Sequence, residues 1–248
     1  MKNKVSFESE LSKFGMGLFE TIKIEQGVPK YLDMHLDRIY KSIKDLNINI
    51  KEEKDNIKTI LLEYIKENNI DNKALRLTLF DEGYNISTGD IIYDENMHEK
   101  GFKLSISPIK RGDSILYKHK TTNYFENIYT KQYAVKNGFD DAIFLDTENT
   151  ILECSMSNIF FIKDRQIYTP NKELPILNGI MKRRIKKLCE ELEINIVESD
   201  IKINNISNFD FCFVSNSLMG AMKVTHINDI KFDDYNNVFD ILWRNLKW

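Results

Sequence analysis

The 248-residue chain carries 35 basic and 38 acidic side chains, a formal net charge of −3, and is 42% hydrophobic and 29% charged. A folded protein of this length buries roughly 70–75% of its unfolded surface, enough core for one large domain or two modest ones. The charge balance argues against a general nucleic-acid binder, which needs a basic stripe, and this composition with only 10 Gly and 4 Pro fits a folded chain rather than a disordered one.

Residues 17–24 alternate, with Leu18, Glu20, Ile22 and Ile24 on one face and Phe19 and Thr21 on the other, the period of a strand. Over residues 32–46 the apolar Leu32, Leu36, Ile39, Ile43 and Leu46 step by 4, 3, 4 and 3, which predicts an amphipathic helix. Ile57, Ile60, Leu61, Tyr64 and Ile65 mark a second helix. Leu75, Leu77 and Leu79, then Phe102, Leu104 and Ile106, alternate as two further strands. Residues 107–119 lose periodicity and contain Pro108 and Gly112, the composition of a linker. Beyond them, residues 123–137 read as a helix closed by Gly138, and residues 142–146, 151–162 and 166–169 as strands. Ile180, Met181, Ile185, Leu188, Cys189 and Leu192 sit at helical spacing, and residues 209–214 close the set as an apolar strand. The expected organisation is a small N-terminal α/β lobe over residues 1–110, a linker at 111–119 and a larger C-terminal lobe over residues 120–248.

The cysteines Cys154, Cys189 and Cys212 have no Cys or His partner at metal-ligand spacing. They are expected as reduced core thiols of a cytoplasmic protein, with no metal. Residues 1–25 contain no apolar signal-peptide core, and no apolar stretch nears the 20 residues of a membrane span.

A few residues invite chemistry. Lys120 lies in Lys118-His119-Lys120-Thr121-Thr122-Asn123-Tyr124, where a solvated surface lysine is the simplest alternative. Glu153 stands alone in an uncharged stretch, either as an outward edge charge or as a buried acid that requires a cation. Arg38 falls at the border of the first helix's apolar stripe, a place for a solvated arginine or a ligand. Gly179 precedes a helix whose free N–H groups form a natural phosphate site, and residues 215–220 form a turn that can hold an anion or simply reverse the chain.

Taken in sequence order, these positions resemble the class IV family of pyridoxal-phosphate enzymes, which includes branched-chain and D-amino-acid aminotransferases and 4-amino-4-deoxychorismate lyase. The family signature reads here as Glu153, Ser155 and Asn158, then Ile167-Tyr168-Thr169, then Leu177-Asn178-Gly179-Ile180-Met181-Lys182. Phe14-Gly15-Met16-Gly17-Leu18-Phe19-Glu20-Thr21-Ile22 and His35-Leu36-Asp37-Arg38 are similar to its N-terminal motifs. The resemblance implies an α+β, α/β two-lobed fold of type IV, like D-amino-acid aminotransferase, with pyridoxal 5'-phosphate as cofactor. It makes Lys120 the Schiff-base lysine and proton carrier, with Lys118 its rival. It sets Glu153 on the pyridine nitrogen, so that the cofactor supplies the cation that this acid lacks. Arg38, the N–H groups of Ile180 and Met181 beside Gly179, and Ser217 would bind the phosphate. Tyr124 would meet the ring hydroxyl, with Ser157 and Asn158 near the ring. A small-molecule amine substrate and a homodimer are implied as partners.

Three features lean toward the lyase. His119-Lys120-Thr121-Thr122-Asn123-Tyr124 is similar to lyase sequences, Met181 stands where aminotransferases usually have Thr, and Asn216-Ser217-Leu218-Met219-Gly220-Ala221-Met222 resembles the lyase turn. Thr21 matches a family threonine that could deliver a proton to the leaving group. Residues 80–85 lack an arginine common after this strand, which leaves Arg76 and Arg111 as candidates to bind substrate carboxylates.

Overall fold

The computed structural model describes residues 1–2 and 4–246. It divides into two units, Met1–Ile92 with His119–Tyr124, and Tyr93–Lys118 with Phe125–Trp248. This differs from the expected division at residues 110 and 120. The strand beginning at Phe102 runs on to Arg111 and pairs within the second unit, whereas residues 119–124, Lys120 among them, pair within the first.

In the first unit, α1 (Glu10–Phe14) leads into β1 (Gly17–Glu25), β2 (Val28–Pro29), α2 (Leu32–Asp45), α3 (Lys54–Glu67), β3 (Lys73–Phe80) and β4 (Gly83–Asp90). The four strands form an antiparallel sheet in the order β2-β1-β3-β4. The apolar stripes of both helices meet one face of it: Leu36, Ile39, Ile57 and Leu61 pack in one core with Leu18, Ile22, Leu75 and Leu77, none more than 2% exposed. On its second edge β1 pairs with β2 only at Ile24 and Glu25, so its first residues are open to another segment. There Phe19 N–H donates to the Lys120 carbonyl at 3.0 Å and Thr122 N–H to the Gly17 carbonyl at 2.9 Å.

The second unit contains α4 (Glu95–Lys100), β5 (Phe102–Arg111), a 3-10 turn at Ile115–Lys118 and α5 (Phe125–Lys136). There follow β6 (Asp141–Asp146), β7 (Ile151–Cys154), β8 (Asn158–Lys163), β9 (Gln166–Pro170), α6 (Ile180–Glu191) and β10 (Ile196–Ser199). The chain continues through β11 (Phe211–Asn216), β12 (Gly220–Ile227), β13 (Ile230–Lys231) and α7 (Asn237–Asn245). Its strands form one mixed sheet in the order β10-β9-β8-β11-β12-β5-β6-β7, with β13 on β12. The expected single strand over residues 151–162 is two strands, broken at residues 155–157. Asp141 causes the break, because its buried carboxylate accepts from Ser155 Oγ and, at 3.3 Å, from Met156 N–H, while Cys154 N–H donates to the Ser157 carbonyl at 2.8 Å.

The three cysteines are free and buried, and burial pushes the Cys189 thiol up to about 12. Among the described residues no helix is long and apolar enough to cross a membrane.

Candidate active site

In the first unit Lys120 is held by the backbone pairing to β1, and its Nζ stands 4.4 Å from the centre of the Phe19 ring and 5.1 Å from that of Tyr124. The two rings meet edge to face at 5.1 Å, and the Arg76 guanidinium lies 3.6 Å over the Phe19 ring. Thr21 sits directly opposite Arg76 across β1 and β3, on the same sheet face as Phe19 by strand alternation. Lys120, Tyr124, Phe19, Thr21 and Arg76 are thus gathered on the sheet face away from the helices. The rival Lys118 belongs to the second unit, where its side chain is 38% exposed and its Nζ lies 3.9 Å from Glu173.

Arg38 is not solvated. It reaches from α2 to Glu20 on the helix-facing side of β1, with Nε 2.7 Å from Oε1 and Nη2 2.5 Å from Oε2. His35 Nδ1 is 2.6 Å from the same Oε2. Glu20 is wholly buried, and burial alone would raise its pKa. The charges and hydrogen bonds of Arg38 and His35 outweigh that cost and hold it down to about 2, against an ordinary 4.5. A carboxylate with a depressed native pKa adds stability above its unfolded pKa and loses it on protonation. About 3 kcal/mol from Glu20 should therefore be present above pH 4.5 and fade as the pH falls toward 2. Urea unfolding across this range should show wild type and Glu20→Gln converging as the solution is acidified. Glu20 is legible in the sequence as the one acid on β1's apolar face, but its partners become clear only once α2 lies against the sheet.

In the second unit Glu153 lies on β7, only 7% exposed. The expectation that the cofactor alone supplies its cation is corrected by Arg111, whose Nη1 is 2.8 Å from Glu153 Oε1. Arg111 also binds Glu126 through Nε at 2.6 Å and is packed between the rings of Phe144 and Tyr117, at 3.6 and 4.4 Å. Its guanidinium is committed to the protein, which removes it as a candidate to bind a substrate carboxylate. Arg76 remains, since among the described residues it forms no ion pair.

The other oxygen of Glu153 accepts from Asn158 Nδ2 at 3.3 Å and from Leu177 N–H at 3.2 Å, and Asn158 Nδ2 also donates to the Leu177 carbonyl at 2.9 Å. The acid is thereby tied to the loop that starts α6. Gly179 is the N-cap of α6 and offers its first turn no side-chain cap. A Cβ at this position would run into Asn158 Oδ1, so a larger residue would displace the Asn158 amide that ties Glu153 to this loop. Ile180 and Met181 are each 1% exposed, their side chains in the core, which leaves only backbone N–H groups to offer an anion. Ser157 lies buried in the bend beside Asn158. Ser217 is in the turn between β11 and β12, and β11 carries Ser215 opposite Asn158.

These groups fit pyridoxal phosphate. An uncapped helix start and a guanidinium with N–H groups to spare suit a phosphate, and a buried acid suits a pyridinium nitrogen. Thr21, Lys120, Tyr124 and Arg38 belong to the first unit; Glu153, Ser157, Asn158, Gly179, Ile180, Met181 and Ser217 belong to the second.

Fold and residue set together define a pyridoxal-phosphate enzyme of fold type IV. Residues 17–227 match the family model for amino-transferase class IV, and the chain belongs to that family. A Rickettsia felis protein named "Probable branched-chain-amino-acid aminotransferase" is 30% identical over 90% of this chain and 80% of its own. The aminodeoxychorismate lyase of Bacillus subtilis is 25% identical over 88% of this chain and 80% of its own. The T.th. branched-chain amino acid aminotransferase, solved with pyridoxamine 5'-phosphate, superposes with a TM-score of 0.89 at 21% identity, covering 99% of this chain and 88% of its own.

Proposed function

We propose that the chain is a pyridoxal-phosphate-dependent lyase that converts 4-amino-4-deoxychorismate to 4-aminobenzoate and pyruvate. The observation that carries this reading is the pairing of Thr21 with Arg76 on the sheet face that bears Lys120. A reaction that expels a carboxylated three-carbon group needs an amine to remove a proton, a cation to hold a carboxylate and a hydroxyl to return a proton. Lys120, Arg76 and Thr21 are those three groups.

When bound, pyridoxal phosphate supplies an electron sink for the pair left by the departing proton. Lys120 Nζ would hold the cofactor and, as a free amine, would take the proton from the substrate carbon that bears the amino group. The bond from the ring to the enolpyruvyl oxygen breaks, the ring becomes aromatic, and Thr21 Oγ1 delivers a proton to the departing group, which leaves as pyruvate. Glu153, held in place by Arg111, Asn158 and Leu177 N–H, would face the pyridine nitrogen and keep a proton on it. Arg38, the N–H groups of Ile180 and Met181 at the Gly179 cap, and Ser217 would bind the phosphate; Tyr124 would meet the cofactor's ring hydroxyl, with Ser157 and Asn158 near its ring.

Arg76→Leu should raise KM for aminodeoxychorismate about 10- to 100-fold, the loss of one hydrogen bond to a charged group. Its kcat should fall far less, and steady-state kinetics would separate the two. The relative named as a branched-chain aminotransferase supports a second reading, transamination of a D- or branched-chain amino acid. Under the lyase reading no keto acid appears when the enzyme is incubated with D-alanine or L-leucine and an acceptor keto acid; sustained conversion would favour the aminotransferase.

The assembly we propose is a homodimer. α5 turns Phe125, Ile128, Tyr129 and Tyr133 outward along one helical face, with Phe125 82% exposed, and such contiguous apolar surface marks an interaction site. Sedimentation equilibrium should find two chains per particle, and Tyr129→Glu should shift the particle toward one.

A further inference from the structure

Glu20 takes no part in the chemistry above, yet it is a wholly buried charge on the apolar face of β1, opposite Leu77. Burying a carboxylate there is costly unless it is fully paired, and both partners come from one turn of α2. Of the five N–H groups of Arg38, Glu20 takes one on Nε and one on Nη2. Nη1 forms no hydrogen bond among the described residues. The fork is fixed at its inner edge and presents its outer edge.

His35 adds a second, independent feature. Its Nδ1 faces the Glu20 carboxylate and donates to it, and burial disfavours a second ring proton, which leaves Nε2 as a bare acceptor. The ring is 1% exposed and Nε2 has no hydrogen-bond partner among the described residues. Both Arg38 and Lys120 direct positive charge at this ring. A buried acceptor left without a donor is destabilising, a cost that disappears if a ligand brings the donor.

We infer that Glu20 and His35 are positioning residues for phosphate capture: Glu20 clamps Arg38 so that Nη1 faces the cofactor phosphate, and His35 Nε2 accepts a hydrogen bond from a water carried in with that phosphate. This rests on the reading of the chain as a pyridoxal-phosphate enzyme. Neither residue touches the reacting atoms. Their effect is on the affinity of one part of the cofactor.

The test uses two ligands that differ only in the phosphate. Full-length protein stripped of cofactor is titrated with pyridoxal phosphate and with pyridoxal, and binding is followed by absorbance. Glu20→Gln should weaken pyridoxal phosphate about 10- to 100-fold and leave pyridoxal unchanged. His35→Asn retains a donor toward Glu20 but lacks the far acceptor, and it should weaken only the phosphorylated ligand, by several-fold. If Glu20→Gln proves unfolded by circular dichroism, Glu20→Asp, which keeps the charge but shortens its reach, should give the same selective loss. Equal weakening of both ligands, or no weakening of either, overturns the inference. Wild-type protein that binds neither ligand overturns the cofactor assignment instead, so the two failures are distinct.

Discussion

Lys120→Ala is expected to lower turnover at least about a thousandfold and to abolish the covalent product that borohydride makes between enzyme and cofactor. Two lysines lie two residues apart, and the structure gives them different surroundings. Lys120 is anchored through its carbonyl to Phe19 N–H and points its Nζ at the Phe19 and Tyr124 rings. Lys118 is 38% exposed and lies near an exposed acid, Glu173, at 3.9 Å, the geometry of a surface pair worth at most about 1 kcal/mol. Lys118→Ala should therefore keep both the trapped product and the turnover. Peptide mapping after reduction would locate the modified lysine, and modification of Lys118 in its place would refute the assignment.

Arg111→Met is expected to destabilise the second unit by about 3–5 kcal/mol, the usual cost of stranding a buried charge whose partner is removed. Arg111 is 2% exposed and is held by Glu153, Glu126 and two aromatic rings. Methionine keeps much of its volume and none of its charge. Glu153 then loses its guanidinium partner, and the donors Asn158 Nδ2 and Leu177 N–H are neutral. Glu153→Gln should cost less, because Arg111 retains Glu126. The contrast is directional: equilibrium unfolding in urea should rank Arg111→Met below Glu153→Gln, whereas cofactor retention should suffer in both.

The regular elements of the first unit are legible in the sequence because their periods are clean. The 4-3-4-3 steps from Leu32 and the alternation from Leu18 coincide with α2 and β1. β4 is not legible, since it is an edge strand whose last four residues are exposed and whose sequence, Gly83-Tyr84-Asn85-Ile86-Ser87-Thr88-Gly89-Asp90, needs only its backbone to pair with β3. Residues 107–111 read as linker because Pro108 interrupts the pattern. They are strand, with a register shift between Ile106 and Lys110 that absorbs the proline.

At the candidate site, sequence order points to Lys120, Glu153 and Gly179, but not to what holds them. The partner of Glu153 lies 42 residues away and that of Arg38 lies 18 residues away. Pairings of that range have no local period. A charge on an apolar face announces that a partner exists without saying which. The two candidate carboxylate binders, Arg76 and Arg111, are equivalent in sequence and become distinct only in the fold, where one is locked against two acids.

The most direct measurement is product analysis with 4-amino-4-deoxychorismate as sole substrate. Pyruvate and 4-aminobenzoate should appear in equal amounts, formed catalytically and lost in Lys120→Ala. Unchanged substrate, together with steady conversion of an amino donor to its keto acid by the same preparation, would contradict the lyase reading.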